Sequence, residues 1–322
     1  ILLTIAIPTY NRSKSVKKLL EKLLPQLIPE VKVVVFDNCS SVPVSDIMND
    51  FSHPGVSFVR NKTNVGMAGN FIKCFEACDT KWLWVLGDDD YPYANAVELV
   101  FDNIKQWSDA SFINFKSLMA SERKATYAVV GAKGVIEGLD DFGNLLCISL
   151  GVYNMHKLYT GMRFAYQYAY TIAPQVAFLL TGLRDGEVVF SIDELIDFAA
   201  NDTDAKGFWS WVSLSSVIGS LAELPLNLDG NTLKTFHTHL LTHIKKPNEL
   251  YEIMVRDAKY NSDEKLRIFK LVYDRSTFGK LFNNRMPSFI FYYSKLWLNK
   301  ASSKENDAIL DLTIQYERIE RV

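Results

Sequence analysis

Cysteine is scarce in this chain: Cys39, Cys74, Cys78 and Cys147 are the four in 322 residues, and no two form a C-x-x-C pair. That excludes a disulfide-stapled scaffold and a zinc ribbon, and it fits a reducing compartment. Cys74 and Cys78 lie one helical turn apart and read as buried thiols. Long apolar runs are also missing, since none reaches the roughly 18 residues that a membrane-crossing helix needs. Charge of one sign is missing too: 35 Lys and Arg stand against 37 Asp and Glu, a net charge of −2. A near-neutral balance argues against a nucleic-acid binder acting through the whole chain. No internal repeat or low-complexity segment is visible, so solenoid and array folds are excluded. What remains is a chain with 48% apolar and 13% aromatic residues, long enough for roughly two domains of about 150 residues and a sizeable core.

The first hundred residues alternate between strand and helix patterns. Leu2–Pro8 is a continuous apolar run, as expected of a strand buried on both faces. Ser13 is placed to cap the helix that follows, in which Val16, Leu19, Leu20, Leu23 and Leu24 recur at helical spacing until Pro25. Lys32–Phe36, Val56–Arg60 and Trp82–Leu86 read as further strands, with helices predicted after the loop 61–69 and from about Asn95 to Trp107. Ser111–Phe115 is a fifth strand. Such alternation predicts βαβ units and a mostly parallel sheet with right-handed crossovers. Ligands of these sheets bind beyond the carboxyl ends of the strands. The polar clusters after Ile7, Phe36, Arg60 and Leu86 all fall there.

The strongest chemical signal is Gly87-Asp88-Asp89-Asp90, directly after an apolar strand. Three adjacent carboxylates repel one another unless a cation neutralises them. Their hard oxygens suit Mg²⁺ or Mn²⁺, which keep positions open for phosphate oxygens and can draw charge off a diphosphate leaving group. The plainer alternative is a solvated acidic turn. Around it, Asp37 at a strand end can accept from a pyrimidine imide or a ribose hydroxyl. Tyr10 can stack on a base, Gly66 allows close backbone approach, and Arg12 or Lys62 can meet a phosphate. Singly, Asn64, Gly66 and Pro8 also read as ordinary turn and strand-end residues.

Four motifs in this order resemble the GT-A glycosyltransferases of family 2. They are Ile5–Arg12, Val34–Ser40, the Arg60…Asn64-Val65-Gly66…Asn70 stretch, and Leu86–Asp90, together covering about the first 110 residues. The resemblance implies a Rossmann-like α/β core that binds a nucleotide-diphospho-sugar. Pro8, Thr9, Tyr10, Arg12, Asp37 and Asn38 are then expected around the base and ribose, with Lys62, Asn64, Gly66 and Asn70 bordering the donor. Asp88, Asp89 and Asp90 form the expected Mn²⁺ or Mg²⁺ motif. Many members carry Asp-x-Asp-Asp, whereas Gly87 takes the first acidic position here. That favours Asp89 or Asp90 as direct ligand and leaves Asp88 for the ribose or sugar.

Inverting members of the family also use a carboxylate general base well downstream of the metal motif. At the expected place stands Tyr170-Thr171-Ile172-Ala173-Pro174-Gln175, which holds no carboxylate. His156, which can titrate near neutrality, is the candidate for the base, with Asp185, Glu187, Asp193 and Asp202 behind it. The diverged second half resembles the bacterial O-antigen and capsule enzymes, including the abequosyltransferase-like subgroup. Three regions are expected: a donor-binding half over 1–110, an acceptor-binding half over 111–225, and a helical extension over 226–322.

The acceptor half is rich in tyrosine over 151–170, which suits either sugar stacking or core packing. His237, His239 and His243 have a spacing that zinc can use, but their apolar neighbours favour an ordinary amphipathic helix. Between Lys265 and Lys300 eight basic residues face one acid, Asp274, with nine aromatics interleaved. Such a segment suits an anionic membrane surface, or a plain helical subdomain. The expected protein is a cytoplasmic, peripheral enzyme moving a sugar to a hydroxyl of a glycan, lipid-linked and bound for surface polysaccharide. Nucleic acid is not an expected partner. The competing readings are an inactive glycan- or nucleotide-binding homologue and a sugar nucleotidyltransferase. The latter is weakened by the absence of glycine from Ile7–Arg12.

Overall fold

The computed structural model describes residues 2–47, 53–117, 121–200 and 217–240. The chain divides into two compact units, one of Ile1–Lys206 with Leu224–Leu228, the other of Gly207–Glu223 with Asp229–Val322. The first unit is built on one eight-stranded sheet. Its first half contains β1 (Leu3–Thr9), α1 (Ser13–Leu23), β2 (Val31–Asp37), α2 (Val44–Ile47), β3 (Val56–Arg60), α3 (Gly66–Glu76), β4 (Trp82–Val85), α4 (Ala96–Gln106) and β5 (Phe112–Lys116). The strands and long helices expected here are present within about two residues, except that α3 begins at Gly66, inside the loop expected over 61–69. All seven residues of β1 are buried, as its unbroken apolar run requires. On α1 the residues Val16, Leu19, Leu20 and Leu23 face the sheet. Ser13 opens that helix but does not cap it; Arg12 holds the cap position with no side-chain bond to the backbone.

Beyond 117 the elements are shorter: β6 (Tyr127–Val130), α5 (Gly131–Gly138), α6 (Gly143–Leu146), β7 (Gly151–Asn154), α7 (Met155–Leu158), α8 (Met162–Gln167), α9 (Pro174–Gly182) and β8 (Glu187–Glu194). The strand order is β3-β2-β1-β4-β7-β5-β8-β6. Strands β1 to β4 are mutually parallel, β5 and β8 pair parallel, and β7 and β6 run antiparallel to their neighbours. The expected boundary near residue 110 therefore falls inside one continuous sheet. In the second unit the described elements are a 3₁₀ turn at Gly219–Glu223 and a helix at Gly230–Leu240. The basic, aromatic stretch 265–300 lies outside the described residues. Among the described residues, no helix is long and apolar enough to cross a membrane.

Two features of this topology position the site. The order 3-2-1-4 makes the chain turn back between β1 and β4, so a crevice opens at the carboxyl ends of those two strands. Strand β7 then wedges between β4 and β5 and covers the fully buried Trp82 and Trp84; the indole N–H of Trp84 donates to the Ser149 carbonyl at 2.8 Å. Gly151 admits this wedge. A Cβ there would lie 2.6 Å from the Phe112 ring and 3.0 Å from the Tyr153 hydroxyl. We expect Gly151→Ala to lower stability by about 1–3 kcal/mol through overpacking. Urea denaturation should record this as a lower midpoint at unchanged slope.

Candidate active site

The crevice is lined by four strand-end loops, and three of them are tied together. The loop after β1 joins the loop after β2: Ser40 Oγ accepts from the Asn11 N–H at 2.8 Å, and Asn11 Oδ1 accepts from the Ser41 N–H at 2.8 Å. The loop after β2 joins the loop after β3 through Asp37. Its carboxylate accepts from the Ser40 N–H (2.8 Å), the Val44 N–H (3.2 Å) and Arg60 Nη1 (2.7 Å). Arg60 Nη2 also reaches the Ser40 carbonyl at 2.7 Å. Burial alone would push the Asp37 pKa up, but the bonds from Ser40 and Val44 and the Arg60 charge together hold it below the usual carboxylate range.

A carboxamide network completes the join. Asn38 Oδ1 accepts from Asn61 Nδ2 and the Val65 N–H, both at 3.0 Å, while its Nδ2 donates to Asn64 Oδ1 and the Gly66 carbonyl. Asn70 Oδ1 accepts from Asn61, and Asn70 Nδ2 donates to the Phe36 carbonyl. Each of the three loops carries one residue at positive φ: Asn11 (56°), Cys39 (64°) and Gly66 (78°). Asn and Gly accept that conformation readily, whereas Cys39 adopts it under strain held by the surrounding bonds.

The fourth loop carries the carboxylates, and β1 reaches across to it. Thr9 Oγ1 donates to Asp88 Oδ2 at 2.6 Å. Arg12 Nη1 lies 3.1 Å from Asp88 Oδ1 and 2.6 Å from Asp89 Oδ2, so one guanidinium serves both acids. Asp88 is 6% exposed, and burial pushes its pKa up to about 6, outweighing the Thr9 bond and the Arg12 charge. Asp90 turns away: Ser149 Oγ donates to its Oδ2 at 2.6 Å and accepts from the Gly87 N–H at 2.8 Å. A Cβ on residue 87 would stand 2.8 Å from Asp90 Oδ2. Glycine in place of the family's first acid thus lets the third acid fold back onto the turn.

This geometry corrects several expectations. The acidic triplet is not a three-carboxylate cage, and among the described residues no group of three His, Cys, Asp or Glu side chains is arranged to hold a metal. Asp88 and Asp89 do converge on one cationic group. Their hard oxygens therefore fit a divalent ion that takes one or two carboxylates and fills its other positions with water and phosphate. Asp37, Asn38 and Asn70, expected as donor contacts, are buried and engaged in joining the loops. Lys62, Asn64 and Gly66 are exposed, Tyr10 is partly exposed, and Pro8 and Thr9 are buried at the end of β1.

His156 is misplaced for a base. Strand β7 runs antiparallel to β4 with Asn154 opposite Trp82, and the Met155 N–H donates to the Lys81 carbonyl at 2.8 Å, so His156 lies at the edge of the sheet opposite the carboxylates. Glu187 sits at that same far edge, its carbonyl accepting from the Ser111 N–H, and Asp185 precedes it. Asp193, near the carboxyl end of β8, accepts from Asn103 Nδ2 at 2.7 Å. Asp202 and His243 lie outside the described residues. Gln175, where an acid was sought, donates to the Leu146 carbonyl at 3.0 Å. Of the tyrosines, Tyr153 packs in the core against Phe75 and Phe112, while Tyr159, Tyr166 and Tyr170 are exposed.

Two contributors were not legible in the sequence. Ser149 has no sequence neighbour that announces it. Arg60 was visible only as a motif member, without its partner Asp37. The chain after β8 also returns beside the carboxylate loop, where the Tyr93 N–H donates to the Leu195 carbonyl and the Asp197 N–H to the Tyr91 carbonyl, both at 2.9 Å. The run Asp193-Glu194…Asp197 was the available signal.

Residues 4–127, the stretch bearing all four motifs, match the family described as Glycosyl transferase family 2. A curated relative from Haemophilus influenzae, described as an uncharacterized glycosyltransferase, is 34% identical over 112 residues; the match spans 35% of this chain and 37% of the relative's length. Among solved structures, residues 1–349 of S. aureus TarS align over 99% of this chain and 92% of theirs, with a TM-score of 0.61 at 14% identity. The same protein in complex with UDP-GlcNAc aligns with a TM-score of 0.60 at 13% identity. The fold is accordingly of the GT-A type.

The buried Asp88 makes stability depend on pH. Its folded pKa exceeds the ordinary 3.8, so in chelator its contribution is most favourable below about pH 4 and is lost as pH rises through about 6. Asp88→Asn abolishes that titration. Between pH 4 and pH 7.5 the wild type should lose about 2 kcal/mol relative to the variant, from roughly two pKa units at 1.36 kcal/mol each less the part already lost at pH 4. Parallel urea titrations at the two pH values measure the difference.

Proposed function

We propose that the chain is a glycosyltransferase that takes a sugar from a nucleotide-diphospho-sugar and transfers it to a hydroxyl of a glycan. The observation that carries this reading is the crevice between β1 and β4. There, three bonded loops face Asp88 and Asp89, within the stretch that matches the family. Pro8 and Tyr10 would flank the base, and the exposed Lys62, Asn64 and Gly66 would border the ribose and diphosphate. A UDP-sugar is the first donor to try, because the solved neighbour binds one.

Asp88 and Asp89 would hold Mn²⁺ or Mg²⁺, which when bound draws charge off the departing nucleoside diphosphate. The acceptor hydroxyl must lose a proton as it attacks the anomeric carbon from the face opposite that leaving group, which inverts the centre. The segment after β8 is our candidate source of the base, a reading supported by its backbone bonds to Tyr91 and Tyr93. Asp197 lies at that hook, and Asp202 follows five residues later. A lipid-linked acceptor for surface polysaccharide is the biological setting that this reading favours.

UDP binding should weaken at least about tenfold when the metal is chelated or when Asp89 becomes Ala. Calorimetry that finds nucleotide affinity indifferent to both would overturn the metal-dependent reading. Asn substitutions at Asp193, Asp197 and Asp202 locate the base. One of them should lower kcat about 10²–10⁴-fold while leaving UDP affinity unchanged. Full activity in all three variants would remove the base from this segment.

A further inference from the structure

Arg12 lies where a cation belongs. Its Nη1 donates to Asp88 Oδ1 and Asp89 Oδ2, oxygens that a divalent ion would use. The remaining oxygen of Asp88 accepts from Thr9, and Asp90 is turned toward Ser149, so the loop presents no second pair of carboxylates for the ion. The Arg12 side chain is only 19% exposed. A bare ion arriving here must expel one positive charge to gain the same two negative ones. It would also leave a partly buried guanidinium without its partners, which is strongly unfavourable.

We propose that Arg12 is a latch that closes the metal site until a diphosphate arrives. A diphosphate offers Arg12 a replacement partner, since a guanidinium fork matches phosphate oxygens in two-point fashion. Arg12 moves to the diphosphate, Asp88 and Asp89 become available to the ion, and the ion gains phosphate oxygens as further ligands. Metal and nucleotide therefore bind weakly alone and strongly together, and the coupling is reciprocal because it is one free energy. In the resting protein Arg12 also neutralises the adjacent carboxylates, which keeps the loop folded without metal. Arg12 is here a positioning residue. The inference rests on the glycosyltransferase reading only for the identity of the diphosphate.

The test uses the full chain and Mn²⁺ alone, with free ion counted by electron paramagnetic resonance. Arg12→Gln should bind Mn²⁺ at least about fivefold more tightly than the wild type, the lower end of ordinary coupling. Arg12→Lys, a single point charge that bridges two acids poorly, should fall between them. Adding UDP should tighten Mn²⁺ binding to the wild type about tenfold or more and have little effect on Arg12→Gln. The latch is overturned if Arg12→Gln binds bare Mn²⁺ no better than the wild type, or if UDP enhances both equally. Circular dichroism and urea unfolding check that the variant is folded. Should it not be, the Arg12→Lys comparison decides, and equality with the wild type counts against the latch. If UDP, GDP, CDP and dTDP all fail to bind the wild type with Mn²⁺ present, the glycosyltransferase reading falls, while the Mn²⁺-only comparison still judges the latch.

Discussion

Two hydrogen-bonded contacts across one crevice organise this molecule: Thr9 to Asp88, and Arg12 to Asp88 and Asp89. They join the end of β1 to the end of β4, the point at which the strand order reverses. Three consecutive acids on a tight turn are electrostatically unfavourable, and one of them is buried. The fold meets that difficulty separately at each acid. A hydroxyl and a guanidinium satisfy Asp88, the same guanidinium satisfies Asp89, and a serine from the turn before the neighbouring strand β7 satisfies Asp90. Without these partners the turn would have to open into solvent, and the crevice would lose its floor.

The polar residues around the crevice divide by burial. Asp37, Asn38 and Asn70 are nearly inaccessible, and their bonds run to neighbouring loops. Tyr10, Lys62, Asn64 and Gly66 remain open to a ligand. A rigid base of buried amides and one ion pair, whose carboxylate is buried and whose guanidinium is open to solvent, thus carries a small exposed set. This is the arrangement that pre-organised recognition requires, because ordering the loops is settled before any ligand arrives. The left-handed Cys39 belongs to the same economy, since its strain is sustained by bonds on both sides of it.

The first half of the fold was legible because each strand there is a buried apolar run and each helix a clear amphipathic stripe. Leu3–Thr9 and Ser13–Leu23 are examples in which one periodicity dominates. The second half was harder. Strand β7 is four residues long, begins with glycine, and is recognisable only by what it wedges between. Within the site, motif spacing located the carboxylates and the loops. It could not reveal which polar groups face one another, because Ser149 and Asp90 are 59 residues apart in sequence. His156 illustrates the opposite error: its chemistry suited a base, but the antiparallel register of β7 carries it to the wrong edge of the sheet.

That wedge has a consequence for how the chain folds. Strand β4, which ends in the carboxylate turn, is flanked on one side by β1 and on the other by residues 151–154. A chain ending at residue 127, the limit of the family match, would leave β4 with an unpaired edge, remove the carbonyl that the Trp84 indole bonds, and leave β5 without either neighbour. The stretch that matches the family and the stretch over which the sheet's strand pairs close are therefore different lengths of this polypeptide. Completion of the β4 edge during synthesis waits for a strand that follows it by more than sixty residues, a delay set by sheet order rather than by chain order.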